Sequence, residues 1–106
     1  MSSMKDRENA FENKFVHDEE LKFKAVARRD KLLGLWAADL LGKADDEAEA
    51  YAKSIVIADL EEPGDNDVFR KVRGDFDDAG VEISDHQLRR QMDDLLVLAV
   101  EQVQNS

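Results

Sequence analysis

Apolar residues return along the chain at steps of three and four, and short polar breaks divide them into four groups. Leu21, Ala25, Leu32 and Trp36, widened by Leu33, Leu35, Leu40 and Leu41, form the first stripe. Ala48, Tyr51, Ala52 and Ile55 form the second, and Phe69, Val72, Phe76 and Ala79 the third. Leu88, Met92, Leu95, Leu96, Ala99 and Val103 form the fourth. Such steps place residues on one face of a helix, so the spacing predicts helices over 18–41, 46–61, 66–79 and 85–104. Each is apolar on one side only and cannot bury its stripe alone, and connections of a few residues favour antiparallel neighbours. The expected fold is all-α, a small four-helix bundle over residues 18–106.

The breaks carry the chemistry of helix ends. In Gly42-Lys43-Ala44-Asp45-Asp46, Gly42 suits the left-handed residue that closes a helix, and Asp45 or Asp46 the N-cap of the next. In Glu62-Pro63-Gly64-Asp65-Asn66, Pro63 cannot continue a helix and Asp65 or Asn66 can cap a new one. In the third break Gly80 stops a helix, and Ser84 with Gln87 three residues later forms a capping-box pattern. Gly34 and Gly74 fall inside predicted helices, where glycine costs about 1 kcal/mol relative to alanine, and a close helix crossing is the expected reason for each.

Residues 1–17 stand apart. As a helix they would place Met4, Phe11 and Phe15 on one side, but the same line continues to Lys22 and is out of phase with the stripe that begins at Leu21. Two readings follow: a broken helix whose phenylalanines fold back onto the bundle, or a mobile amphipathic arm. Such an arm could enter a partner's groove with Phe11 and Phe15 as i, i+4 anchors.

Charge changes the picture in the same direction. Of 106 residues, 15 are Lys or Arg and 25 Asp or Glu, a formal net charge of −10. Residues 1–31 carry a net +1 and residues 32–106 a net −11. An excess of that size repels phosphate backbones and anionic lipid, so neither nucleic acid nor direct membrane insertion is expected. The single basic run is Lys22, Lys24, Arg28, Arg29 and Lys31, interrupted by Asp30, which reads as a solvated helix face or as a docking patch for an acidic surface. Composition adds little more: 42% hydrophobic residues with one Pro and five Gly exclude a disordered chain and a many-stranded sandwich. The absence of cysteine excludes thiolate chemistry and is compatible with a cytoplasmic location.

No chemistry-bearing constellation emerges. The glycines are isolated, so there is no phosphate-cradling loop. His17 and Glu20 share a helical spacing, but a metal site needs three or four ligands. Asp77-Asp78 and Asp93-Asp94 are adjacent pairs that diverge on a helix, Asp85-His86 reads as first-turn electrostatics with a partly packed imidazole, and Trp36 and Tyr51 read as core. Neither an enzyme nor a bound metal or cofactor is expected.

Several stretches are more specific than periodicity. Asp6-Arg7-Glu8 precedes Ala10-Phe11-Glu12-Asn13-Lys14-Phe15, then His17-Asp18-Glu19-Glu20, and Ala27-Arg28-Arg29 leads into Lys31-Leu32-Leu33-Gly34-Leu35-Trp36-Ala37-Ala38. Tyr51-Ala52-Lys53, Asp67-Val68-Phe69-Arg70-Lys71-Val72 and His86-Gln87-Leu88-Arg89-Arg90-Gln91-Met92-Asp93 follow in order. These blocks resemble the ζ (zeta) subunit family of the alphaproteobacterial F-type ATP synthase, with Asp30 standing where Asn is more typical. The resemblance implies a cytoplasmic inhibitor of ATP hydrolysis, peripheral on the membrane-bound synthase. Its N-terminal helix would insert at a catalytic interface between α and β subunits beside the γ stalk and block rotation. Carried onto this chain, Phe11 and Phe15 would be buried anchors, and Lys5, Arg7, Glu8, Glu12 and Lys14 polar contacts. Lys22, Lys24, Arg28, Arg29 and Lys31 would face the acidic exterior of the synthase head. Two competing readings are a nucleotide sensor, with Arg28, Arg29 or Lys31 on the phosphates of regulatory ADP or ATP, and an acidic interaction protein that occupies a DNA-binding partner.

Overall fold

The computed structural model describes residues 19–61 and 65–105. Among these residues are four helices and no strand: α1 Glu19–Leu40, α2 Asp45–Glu61, α3 Asp65–Ala79 and α4 Asp85–Gln104. The arm expected over residues 1–17, with Lys5, Arg7, Glu8, Phe11, Glu12, Lys14 and Phe15, lies outside the described residues.

The helix ends follow backbone hydrogen-bond accounting. At the end of α1 the Lys43 N–H donates to the Ala38 carbonyl at 2.9 Å and the Gly42 N–H to Asp39 at 3.2 Å, with Gly42 at φ 77°. α3 ends in the same way, Val81 donating to Phe76 and Gly80 to Asp77, with Gly80 at φ 73°. Both are Schellman closures, which need a left-handed residue that glycine adopts without strain. The capping box is present: the Gln87 N–H donates to Ser84 Oγ at 3.1 Å and the Ser84 N–H to Gln87 Oε1 at 3.0 Å.

The other two expected caps are corrected. The carbonyl of Ala44 accepts from the Glu47 N–H at 3.1 Å, so Ala44 occupies the cap position. Asp45 instead supplies a left-handed step at φ 53°, a conformation that Asp tolerates better than most residues, and it re-aims the chain after the tight closure of α1. Asp65 and Asn66 direct their side chains to arginines of other helices, as acceptors from Arg29 at 2.9 Å and Arg89 at 3.1 Å.

α1 is the central helix and packs along both α2 and α4, while α3 touches α2 and α4 more sparingly. The core gathers Leu33, Tyr51, Ile55, Val72, Phe76, Leu88 and Met92. The stripes of α2 and α4 lie where the spacing puts them; in α3 the buried line is Val68, Val72 and Phe76, with Phe69 half-buried and Ala79 exposed.

The stripe of α1 needs a larger correction. Its buried residues are Ala25, Arg29, Asp30, Leu33, Gly34, Ala37 and Ala38, whereas Leu21, Leu32, Leu35 and Trp36 are half-buried and Leu40 is exposed. A helix flanked on two sides needs small residues facing its neighbours, so the bulky side chains move to the edges of the contact. Gly34 shows how close the approach is: an added Cβ would lie 2.4 Å from the Cα of Ala52 on α2. Gly74 has no such neighbour within 4 Å and is exposed, so the close-crossing explanation fails there.

Candidate functional site

The sequence-predicted basic run divides on the structure. Lys22, Lys24, Arg28 and Lys31 are exposed on α1. Lys24 Nζ pairs with Glu20 at 3.2 Å, and Arg28 Nη1 donates to Gln102 of α4 at 3.0 Å. Both contacts are at the surface, where an ion pair or a side-chain hydrogen bond contributes about 1 kcal/mol or less, so these side chains are available to other partners. Lys24, Arg28 and Lys31 border a groove of about 630 Å³ whose apolar lining includes Phe23, Leu35 and Val56. Phe23 is 57% exposed, a large aromatic surface beside three cations.

Arg29 is not part of this patch. It is 1% exposed, as is Asp30, and the two lie inside the bundle. Arg29 Nε donates to Asp30 Oδ1 at 2.8 Å, and Nη2 donates to Asp65 at the start of α3 at 2.9 Å. The expected roles of Arg29, as a surface anchor or a phosphate contact, are therefore corrected: its guanidinium ties α1 to α3. Burial works against its charge, but the Asp65 and Asp30 carboxylates outweigh that penalty and the group is held more firmly protonated than usual. Asp30 behaves in the opposite sense. Burial and the neighbouring Asp59 push its carboxyl up to about 8, despite the opposing charge of Arg29.

A second groove, of about 660 Å³, runs between α1 and α2 on the side of this pair. Phe23, Val26, Val56 and Leu60 supply its apolar lining, and Asp30, Asp59 and Asp65 its carboxylates. The first groove is basic at its border and the second acidic. Phe23 and Val56 line both, so they form the ridge between two surfaces of opposite charge.

At the far end of α1, Tyr51 donates from its hydroxyl to Asp75 Oδ2 at 2.7 Å, and Lys71 Nζ lies 5.5 Å from the ring centroid. Burial, the bond to Asp75 and the charge of Asp75 raise the phenol well above its usual range. Trp36 meets Phe76 edge to face at 5.7 Å between centroids. Both aromatic residues belong to the core, as the sequence suggests, while His86 is exposed and not partly packed. Among the described residues no three of His, Cys, Asp and Glu are grouped so as to hold a metal ion; of the His17 and Glu20 pair, His17 lies outside them. No described helix is long and apolar enough to cross a membrane.

Sequence reasoning missed Asp59 and Asp65 as partners of the buried pair. One signal was present: Ala25, Arg29, Leu33 and Ala37 repeat at exact steps of four, and Asp30, Gly34 and Ala38 form the adjoining line. Two lines of small residues mark a face that neighbours approach closely, and a charged residue on such a line is a candidate for burial.

Comparison with known proteins extends the picture to the N-terminal residues. The family model described as ATPase inhibitor subunit zeta matches residues 1–102. A protein solved by solution NMR is 46% identical, with a TM-score of 0.70 over 80% of this chain and 96% of that one. No curated protein matches the chain.

Proposed function

The chain belongs to the ATPase inhibitor subunit zeta family, and from that premise we propose that it inhibits ATP hydrolysis by the F-type ATP synthase through its N-terminal segment. In this reading residues 1–17 enter a catalytic α/β interface beside the γ subunit as an amphipathic helix and block rotation in the hydrolytic direction. Phe11 and Phe15 anchor that helix, and Lys5, Arg7, Glu8, Glu12 and Lys14 make its polar contacts. The bundle remains outside and holds the segment in place, peripheral to the membrane-bound enzyme.

The observation that carries the reading is the extent of the family match, which begins at residue 1 and therefore includes the arm as well as the bundle. The surface of α1 supports it: Lys22, Lys24, Arg28 and Lys31 form a basic edge on a chain with a net charge of −10, immediately after the proposed inhibitory segment. The sensor alternative is weakened by the burial of Arg29, which leaves Arg28 and Lys31 as exposed phosphate contacts.

The test is ATP hydrolysis by the cognate synthase stripped of its endogenous subunit. Full-length protein is expected to suppress turnover, and a chain beginning at Asp18 to leave it unchanged. Suppression by the shortened chain would refute the role of the arm. Phe11→Ala combined with Phe15→Ala is expected to weaken inhibition while the thermal midpoint of the bundle stays in place; a large fall in that midpoint would favour a folded-back segment.

A further inference from the structure

An ionised carboxylate inside a small bundle needs a donor for each oxygen, and Asp30 has donors for only one. Its Oδ1 accepts from Arg29, whereas Oδ2 is buried without a hydrogen-bond partner in the ionised form. An unpartnered buried oxygen of this kind is strongly disfavoured. From α2, Asp59 is a second carboxyl lining the same groove as Asp30, and it acts on Asp30 through hydrogen bonding and charge. Two carboxylates can only accept, so they repel; a single proton between them turns the contact into a short, charge-assisted O–H···O bond.

We propose that Asp30 is held as a neutral acid whose Oδ2 hydroxyl donates to the Asp59 carboxylate, so that one proton ties α1 to α2, and that loss of this proton loosens the seam along the groove of Phe23, Val56 and Leu60. The link concerns the bundle alone and holds whether or not the chain inhibits an ATPase.

The charges around the pair decide its balance. On α1, Arg29 favours the ionised form of Asp30, while from α2 Asp59 favours the neutral one. From α3, Asp65 takes part of the guanidinium's attraction through its own bond to Nη2. α4 meets this stretch of α1 through Gln102, which is uncharged. Glu19 and Lys22 line the groove from exposed positions. Burial and Asp59 prevail, and Asp30 is pushed up from 3.8 to about 8. At neutral pH the proton is therefore in place, and mildly alkaline solution removes it.

The effect on stability has a definite sign. Between pH 3.8 and about 8 the folded chain keeps a proton that the unfolded chain has lost. Stability therefore falls as pH rises through that window and stops falling above it, by up to about tenfold in the unfolding constant per pH unit.

Three measurements on the full chain test the proposal. The 13C carboxyl resonance of Asp30 should titrate with a midpoint near 8, and Asp59→Asn should lower that midpoint by removing the facing charge. Relative to Asp30→Asn, the wild-type unfolding constant in urea should climb between pH 5 and 8 and level off beyond. Amide exchange at Val26, Ala27 and Val56 should accelerate through the Asp30 midpoint. An Asp30 midpoint in the ordinary carboxylate range, a pH profile identical to that of Asp30→Asn, or unchanged protection along the seam would each overturn it. If Asp30→Asn does not fold, the wild-type titration and exchange decide alone.

Discussion

α1 and α3 are both amphipathic helices of one bundle, yet they are held by different means. α1 presents two lines of small residues to its neighbours and buries an arginine and an aspartate among them. Its contacts are close in distance and specific in polarity. α3 presents one apolar line, Val68, Val72 and Phe76, and is secured around its margin by exposed or half-buried polar contacts. Arg73 bonds Asp77 at 2.8 Å and reaches the Ile83 carbonyl and Asp85 beyond the end of the helix. Arg89 of α4 stacks 4.0 Å from the Phe69 centroid and donates to Asn66. A helix flanked on two sides must satisfy geometry to within a methyl group, whereas a peripheral helix needs only a matching stripe and a favourable rim.

The contrast can be tested by substitution, most severely at the buried pair. Arg29→Leu should lower unfolding free energy by about 1.5–3 kcal/mol, because it leaves the buried Asp30 Oδ1 without its donor and removes the charge-assisted bond to Asp65. Its measure is the urea midpoint at unchanged m-value. A loss below about 1 kcal/mol would mean that Arg29 behaves like a surface charge and that α1 is not distinct.

The two helix-interior glycines sharpen the comparison because the same substitution should act in opposite directions. Gly34→Ala places a methyl against the backbone of Ala52, and overpacking of this kind costs about 1–3 kcal/mol. Gly74→Ala meets open space on α3 and should gain about 0.5–1 kcal/mol from helix propensity alone. Thermal midpoints that move the same way in both variants would remove the distinction between a close seam and an open face.

How much of this was legible depended on the same difference. α4 reads clearly because apolar residues at steps of three and four sit among charges and Ser84 with Gln87 marks its start by local chemistry alone, whereas α3 reads as a helix with Val72 and Phe76 placed correctly but Val68, not Phe69 or Ala79, completing the buried line. α1 read as a helix but with its stripe misplaced, since leucines draw the eye to Leu32 and Leu35 while the buried lines consist largely of alanine, glycine and a charged pair. Sequence alone places Arg29 at the surface, because a charge is ordinarily solvated. Its burial depends on Asp65, 36 residues away, a contact that only the fold creates. Cap positions failed at α2 and α3 for a related reason: an aspartate at a helix start can bond its own backbone or a distant arginine, and local sequence does not decide which. The N-terminal segment, whose proposed role rests on the resemblance and the family match, lies outside the described residues.

The chain contains one tryptophan and one tyrosine, and both are packed where α1, α2 and α3 meet. That gives the bundle two optical reporters that need no label. Indole emission from Trp36 reads the edge-to-face contact with Phe76, so separation of α1 from α3 changes its colour and yield. The phenol of Tyr51 stays un-ionised in the folded state at alkalinities that ionise a free one, so ultraviolet absorbance from tyrosinate, appearing on a slow upward pH ramp, marks the point at which the hydroxyl leaves Asp75.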